Sequence, residues 1–216
     1  MTIRALIFDR DGVLTYFDLA AAATFFAPLL PISVWEMAAQ WQEFGETHGF
    51  PSSVEAEHTF FAAFWAQMRL RHGLSPAQHD ALLALDYTQF VRAFPDARPA
   101  LHWAHQAGFR TGVLSNFTLA SLDASLCAAG LAGEIDAACA ATVIGAAKPY
   151  PAAYRAIAAT LGVAPGECLF FDDELICVEG AAAAGMRGYL VDRRQGPAAG
   201  IIHSLDLLQA LVEQAE

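Results

Sequence analysis

Short apolar runs closed by Gly, Asp or Asn alternate with stretches of helical periodicity through most of the second half of the chain. That alternation is the pattern of a parallel sheet wrapped by helices. The apolar runs predict strands at residues 5–8, 111–114, 140–144, 168–171 and 188–191. Helices are predicted at residues 97–107, 119–129, 152–161 and 178–184, each followed by a glycine in the stop position: Gly108, Gly130, Gly162 and Gly185.

Residues from about 15 to 94 break this rhythm and read as helices only. Ser52 with Glu55 gives a capping-box string ahead of Phe60, Phe61, Phe64 and Met68; Ser75-Pro76 with Gln78 opens another helix ahead of Leu82, Leu85 and Phe90. The block holds 15 of the 24 aromatic residues. Most of these rings are needed for the core of a small helical domain, and a lesser share is left to line a pocket facing the sheet. The expected architecture is α/β: a three-layer, Rossmann-like parallel sheet from residues 1–14 and 96–216, with an all-helical cap domain, residues 15–95, inserted after the first strand. Open parallel sheets bind ligands beyond the carboxyl ends of their strands. An insert leaving the end of strand one therefore hangs over that crevice as a lid.

Composition narrows the function. With 56% apolar and 16% charged residues among 216, the chain closes a real core and is not disordered, and its 16 Gly and 10 Pro are scattered rather than periodic. The net charge of −11 and the lack of any Lys or Arg run exclude bulk electrostatic binding to nucleic acid or anionic lipid. The longest uncharged stretch, residues 19–35, is too short and too broken by Pro28 and Pro31 to span a bilayer, and Arg4, Asp9, Arg10 and Asp11 leave no room for a signal peptide. Cys127, Cys139, Cys168 and Cys177 lack metal-site spacing and lie in apolar surroundings, so buried thiols are expected in a soluble, cytoplasmic protein.

Four strand ends carry chemistry. Asp9 and Asp11 follow Leu6-Ile7-Phe8 and precede Gly12, a string that suits a turn or helix cap as well as a pair of carboxylates facing the crevice. Asp172 and Asp173 repeat the pattern after Cys168-Leu169-Phe170-Phe171. Four carboxylates at one sheet edge repel by about 1 to 4 kcal/mol per close pair. A hard divalent cation relieves that repulsion, and oxygen-only ligation selects Mg²⁺. Lys148, the only lysine beside 11 arginines, sits in a strand-to-helix loop where its ammonium suits a phosphate oxygen. Ser115 and Asn116 close a strand ahead of a helix, a place for an anion or simply for a cap.

In that order the strings Phe8-Asp9-Arg10-Asp11-Gly12-Val13-Leu14, Leu114-Ser115-Asn116, Ala147-Lys148-Pro149-Tyr150-Pro151 and Phe171-Asp172-Asp173-Glu174 resemble the haloacid dehalogenase superfamily over the whole chain. The likeness is to its phosphatase branch with a helical cap after the first motif. The resemblance implies a Mg²⁺-dependent phosphatase acting on a small phosphomonoester through an aspartyl-phosphate. Asp9 then matches the nucleophile. Asp11 matches the general acid, its backbone carbonyl being a second metal ligand. Asp173 matches the direct acidic ligand, with Asp172 acting through water. Ser115, Asn116 and Lys148 match the phosphoryl-binding groups, Asn116 through its backbone. Two positions depart from the pattern: Cys177 stands where many members support the metal with Asn or Asp, and Tyr16-Phe17 makes the approach to the cap apolar where many carry Asp-Ser.

Three rivals remain. A dehalogenase would use Asp9 on carbon but needs neither Asp11 nor a metal site. A phosphomutase would draw on cap residues such as His48, His58, Arg69 or Arg71. A non-enzymatic phospho-acceptor or binding protein would share the acidic cluster, Lys and hydroxyl, but such domains are about half this length. The partner implied is a small-molecule phosphate ester.

Overall fold

The computed structural model describes residues 2–194 and 201–215; residues 1, 195–200 and 216 of the expected sheet range lie outside them. The chain begins with β1 (Ala5–Phe8) and β2 (Thr15–Phe17), then four helices: α1 (Leu19–Phe26), α2 (Val34–His48), α3 (Val54–His72) and α4 (Pro76–Leu83). After β3 (Val91–Ala93) strands and helices alternate: α5 (Ala97–Gln106), β4 (Arg110–Ser115), α6 (Leu122–Ala128), β5 (Ala137–Ala140), the one-turn α7 (Ala141–Ile144), α8 (Pro151–Leu161), β6 (Cys168–Asp172), α9 (Leu175–Ala183) and β7 (Arg187–Val191). The short β8 (Ile201–Ile202) and α10 (Leu208–Ala215) follow. No helix among the described residues is long and apolar enough to cross a membrane.

Six strands form one sheet in the order β5-β4-β1-β6-β7-β8, every pairing parallel. β1 is buried along its whole length and lies between β4 and β6, so its alternating residues feed two cores. Leu6 and Phe8 join Val113, Phe171 and Leu101 of α5 on one face; Ala5 and Ile7 join Phe170 with Tyr154 and Ile157 of α8 on the other. Covering both faces gives the three layers expected of a parallel sheet.

Several sequence expectations are corrected. The 15–94 block is not helical throughout, because β2 and β3 form an antiparallel ribbon in which Thr15 faces Ala93 and Phe17 faces Val91. The chain enters and leaves the helical block side by side, and its backbone groups pair there, in strands too short to show an alternating pattern. The fifth strand is residues 137–140, not 140–144. β-branched Thr142, Val143 and Ile144 suggested a strand, yet they form α7, while Ala137–Ala140 pairs with β4 in register with Gly112 to Ser115. Ser53, not Ser52, caps α3, so its third residue is Ala56 and no capping box forms with Glu55. The box of Ser75 and Gln78 does form. Cys127 is exposed on α6, while Cys139, Cys168 and Cys177 are buried.

The helical block has its own core, in which Trp41, Phe44, Phe60 and Phe64 meet edge to face. A half-buried ion pair fastens the root of this block to the C-terminal part of the chain. Arg193 donates to both oxygens of Asp96 (2.9 and 3.0 Å), stacks over Phe94 at 3.9 Å, and reaches the carbonyls of Gly12 and Val13 just after β1. Asp96 also accepts from the Ser204 hydroxyl and the Leu205 backbone N–H, both 2.8 Å. Burial pushes the Asp96 carboxyl up, but these donors outweigh it and hold it below its ordinary value.

Asp96→Ala should therefore destabilise the protein by about 2 kcal/mol at neutral pH, the scale of losing an acceptor for charged hydrogen bonds. Because the folded carboxyl is lowered, this contribution is complete above about pH 4 and fades as pH falls through the lowered value. The difference between thermal melts of parent and variant should shrink as pH is taken below about 4; a difference that stays constant from pH 7 into the acid range would contradict the assignment.

Candidate active site

The sheet order decides which residues meet. β1 lies between β4 and β6, so Asp9, Ser115 and Asp172 leave adjacent strands at the same, carboxyl edge. Asp9 extends the pairing of β1 with β6, its N–H donating to the Phe171 carbonyl at 2.8 Å. Asp9, Asp11, Gly12, Ser115, Asn116, Lys148, Asp173 and Glu174 line one cavity of about 380 Å³ at that edge, closed on one side by Phe117 and Thr118.

Lys148 is the centre of the cluster. Its ammonium is buried and donates at 2.6 Å to Asp9 Oδ1 and at 2.6 Å to Asp172 Oδ2. Burial pushes the Asp9 carboxyl up to about 7, with Lys148 opposing the rise and Asp172 adding to it. Asp172 is likewise raised by burial. For Lys148 burial acts downward, but the two carboxylates overcome it and hold the ammonium above its ordinary value. Asn116 fixes the loop that carries this charge: its side-chain amide donates to the Lys148 carbonyl at 2.9 Å and accepts from the Lys148 N–H at 2.8 Å. Its side chain is thus committed to positioning Lys148, which leaves its backbone for other partners. The Ser115 hydroxyl accepts from the Phe117 N–H at 3.2 Å. The helix expected at residues 119–129 begins three residues later, at Leu122, after a loop that follows Ser115-Asn116.

The donor set fits a divalent cation. Carboxylate oxygens of Asp9, Asp172 and Asp173 lie within 4.8 Å of one another. Asp172 is fully engaged, its Oδ1 accepting from the Glu174 N–H at 2.9 Å and its Oδ2 from Lys148, whereas Asp173 faces the cavity. Gly12, at φ +78°, lets the β1 loop pass so close to Asp173 that any β-carbon there would collide with the carboxylate. Cys177 is buried, donates to Glu174 Oε2 at 3.3 Å, and is pushed up to about 12 by burial. It is a neutral thiol beside the acidic set and supplies no anionic sulfur.

Asp11 stands apart. Arg10 donates to its Oδ2 through Nη2 and, at 3.1 Å, through Nε; the Thr15 hydroxyl donates to its Oδ1 at 3.1 Å. Sequence reasoning passed over Arg10, which is 5% exposed, donates to Ser125 Oγ at 3.1 Å and stacks over the Phe117 ring at 3.7 Å. The available signal was its place: a guanidinium between two acids, at the end of a buried strand, must itself be buried and paired. Of the residues considered for a mutase, His48 bonds the Phe44 carbonyl and Arg71 pairs with Glu43. Neither these nor His58 nor Arg69 lines the cavity.

Residues 3–185 match the haloacid dehalogenase-like hydrolase family. The chain is 38% identical to phosphatase MT3486 of Mycobacterium tuberculosis, over 100% of this chain and 99% of the relative. Among solved structures it is similar to a 2-haloacid dehalogenase from Pseudomonas syringae (TM-score 0.73, 20% identity, all of both chains). A phosphatase from Thermococcus onnurineus is also similar (TM-score 0.65, 20% identity, 97% of this chain and 98% of that one). At these identities the structural likeness is one of fold.

Removing the ammonium leaves two buried carboxylates facing each other. Lys148→Met should cost about 3 kcal/mol in EDTA near pH 8, and clearly less as pH falls well below about 7, where the raised Asp9 carboxyl takes up a proton. Equal losses across that range in thermal melts would show that the charge cluster is not what Lys148 stabilises.

Proposed function

The chain belongs to the haloacid dehalogenase-like hydrolases, and from that premise we propose that it is a phosphatase that cleaves a small phosphomonoester through a phosphorylated Asp9. One observation carries the reading: a buried Lys148 held between Asp9 and Asp172, in a cavity that also presents Ser115, Asp11 and Asp173. The name of the Mycobacterium tuberculosis relative supports the same chemistry. Displacing halide from carbon needs neither the proton donor nor the acidic pair at the end of β6.

Asp9 attacks phosphorus, and the ester oxygen leaves with a proton from Asp11. Water then gives that proton back to Asp11 and attacks the Asp9-bound phosphoryl group, releasing inorganic phosphate and restoring the Asp9 carboxylate. Lys148 and Ser115 hold the phosphoryl oxygens, and Asn116 contributes its backbone N–H while its side chain keeps Lys148 in place. Asp9, Asp173 and the backbone carbonyl of Asp11 would hold Mg²⁺, with Asp172 behind them. That cation supplies the positive charge that lets a carboxylate approach a phosphate dianion. In this scheme Asp11 must exchange its pairing with Arg10 for the leaving oxygen, so Arg10 marks the resting position of the proton donor. Residues 15–95 act as the cap that shields the aspartyl-phosphate from bulk water, with residues 1–14 and 96–216 as the catalytic domain.

The decisive experiment is covalent trapping. Asp9→Asn should show neither turnover nor labelling. Asp11→Asn should be nearly inactive on an alkyl phosphate, yet with an aryl phosphate, whose leaving group needs no proton, it should accumulate a single phosphoryl group on Asp9, read by mass spectrometry. EDTA should abolish turnover, and Asp173→Ala should weaken Mg²⁺ binding far more than Asp172→Ala. Label on another residue, or full activity in EDTA, would refute the mechanism.

A further inference from the structure

A second cavity, of about 260 Å³, opens between the inserted helices and the loop after β4. It shares a wall with the phosphoryl site, because Phe117 and Thr118 line both. We infer that this cavity seats the organic part of the substrate, and that the ester carries an apolar group the size of a phenyl ring or a six-carbon chain rather than a sugar, a nucleoside or a second phosphate. The inference rests on the phosphatase reading and adds the class of leaving group.

Its lining argues the chemistry. Among the described residues no charged side chain borders the cavity; apart from Thr118 its walls are aliphatic and aromatic, with Trp35, Trp41, Trp65 and Phe90 among them. The Tyr87 hydroxyl, the one phenol there, is already bonded to Ser121 Oγ at 2.7 Å. A polyhydroxylated group entering it would surrender its hydrogen bonds to water with few returned, a cost of roughly 1–3 kcal/mol for each unpaired group. A second phosphate would find no cation. The cavity is bordered by residues of the helical block's own core, among them Phe26, Val34, Trp65 and Phe90. Its volume exceeds the roughly 150 Å³ that accepts benzene in an apolar interior. Its rim keeps Phe17, Leu19 and Trp35 exposed, at 38%, 39% and 67%. Apolar side chains left open beside a catalytic cavity are what an apolar ligand would cover.

The phosphoryl group would thus lie against Lys148 and Ser115 while the organic group passes Phe117. That ring is fixed on the phosphoryl side by Arg10 and touches Tyr87, whose ring stacks on Phe61 of α3. Specificity on this account comes from area buried.

The test compares kcat/KM for methyl, butyl, hexyl and phenyl phosphate with glycerol 3-phosphate and glucose 6-phosphate. Values should rise about fourfold per added methylene until the cavity fills, placing hexyl phosphate about a thousandfold above methyl phosphate and above both polar esters. A flat alkyl series, or a faster polar ester, overturns the inference and leaves the phosphatase reading standing; failure to hydrolyse any of the esters overturns that reading instead. Non-hydrolysable hexylphosphonate should quench indole fluorescence and bind at least about tenfold tighter than methylphosphonate, and equal affinities count against the pocket. Trp35→Asp, at an exposed position, should cut the hexyl-to-methyl ratio to below about tenfold. An unchanged ratio in a folded variant would remove the cavity from substrate selection.

Discussion

The whole catalytic edge depends on one ammonium held between two buried carboxylates. A parallel sheet delivers strand ends to a common edge without regard to charge, and here the adjacent strands β1 and β6 both end in Asp. Lys148, brought from the loop before α8, makes that arrangement foldable. Its position is secured by the paired hydrogen bonds from Asn116 at the end of the third neighbouring strand, β4. Each of the three central strands thus supplies one element of a single electrostatic unit. The negative charge that remains on Asp173 and Asp11 sits at the cavity surface, where a cation or Arg10 can meet it.

A second set of contacts links this edge to the helical block. Arg10 binds Asp11 and stacks on Phe117, while Glu57 of α3 accepts from the Ser121 N–H at 2.6 Å and Tyr87 bonds the same serine. The loop between β4 and α6 is therefore held from both sides, by Arg10 at the end of β1 and by the inserted helices. Movement of that block must be felt at Phe117, two residues from Ser115.

Much of this was legible in the sequence because buried strands ending in acids leave a strong local pattern. β1 was read to the residue, and Asp9, Asp172 and Lys148 meet because the alternation of strands and helices forces a common edge. What was not legible had little local signal. Ala137–Ala140 has no β-branched residue and is a strand only because β4 offers it partners. The ribbon of β2 and β3 joins segments more than 70 positions apart, and three-residue strands carry no period. Arg10 is buried because Asp11, Ser125 and the Phe117 ring close around it, and two of these partners lie more than 100 positions away. The C-terminal strand β8 is two residues long and helix α10 eight, too short for either to set a strong period.

The ribbon has an evolutionary consequence. Because β2 and β3 are hydrogen-bonded partners, the two ends of the helical segment emerge next to each other, and the loop-closure entropy is met at its root whatever lies beyond. The sheet is therefore indifferent to the length and content of the insertion, provided the ribbon and the Asp96–Arg193 clasp beneath it survive. Mutation and drift among the helices can remodel the chamber they form while the reactive edge stays under separate constraint, so that one chemistry can be handed from substrate to substrate within a lineage by exchanging what is threaded through a three-residue-wide doorway.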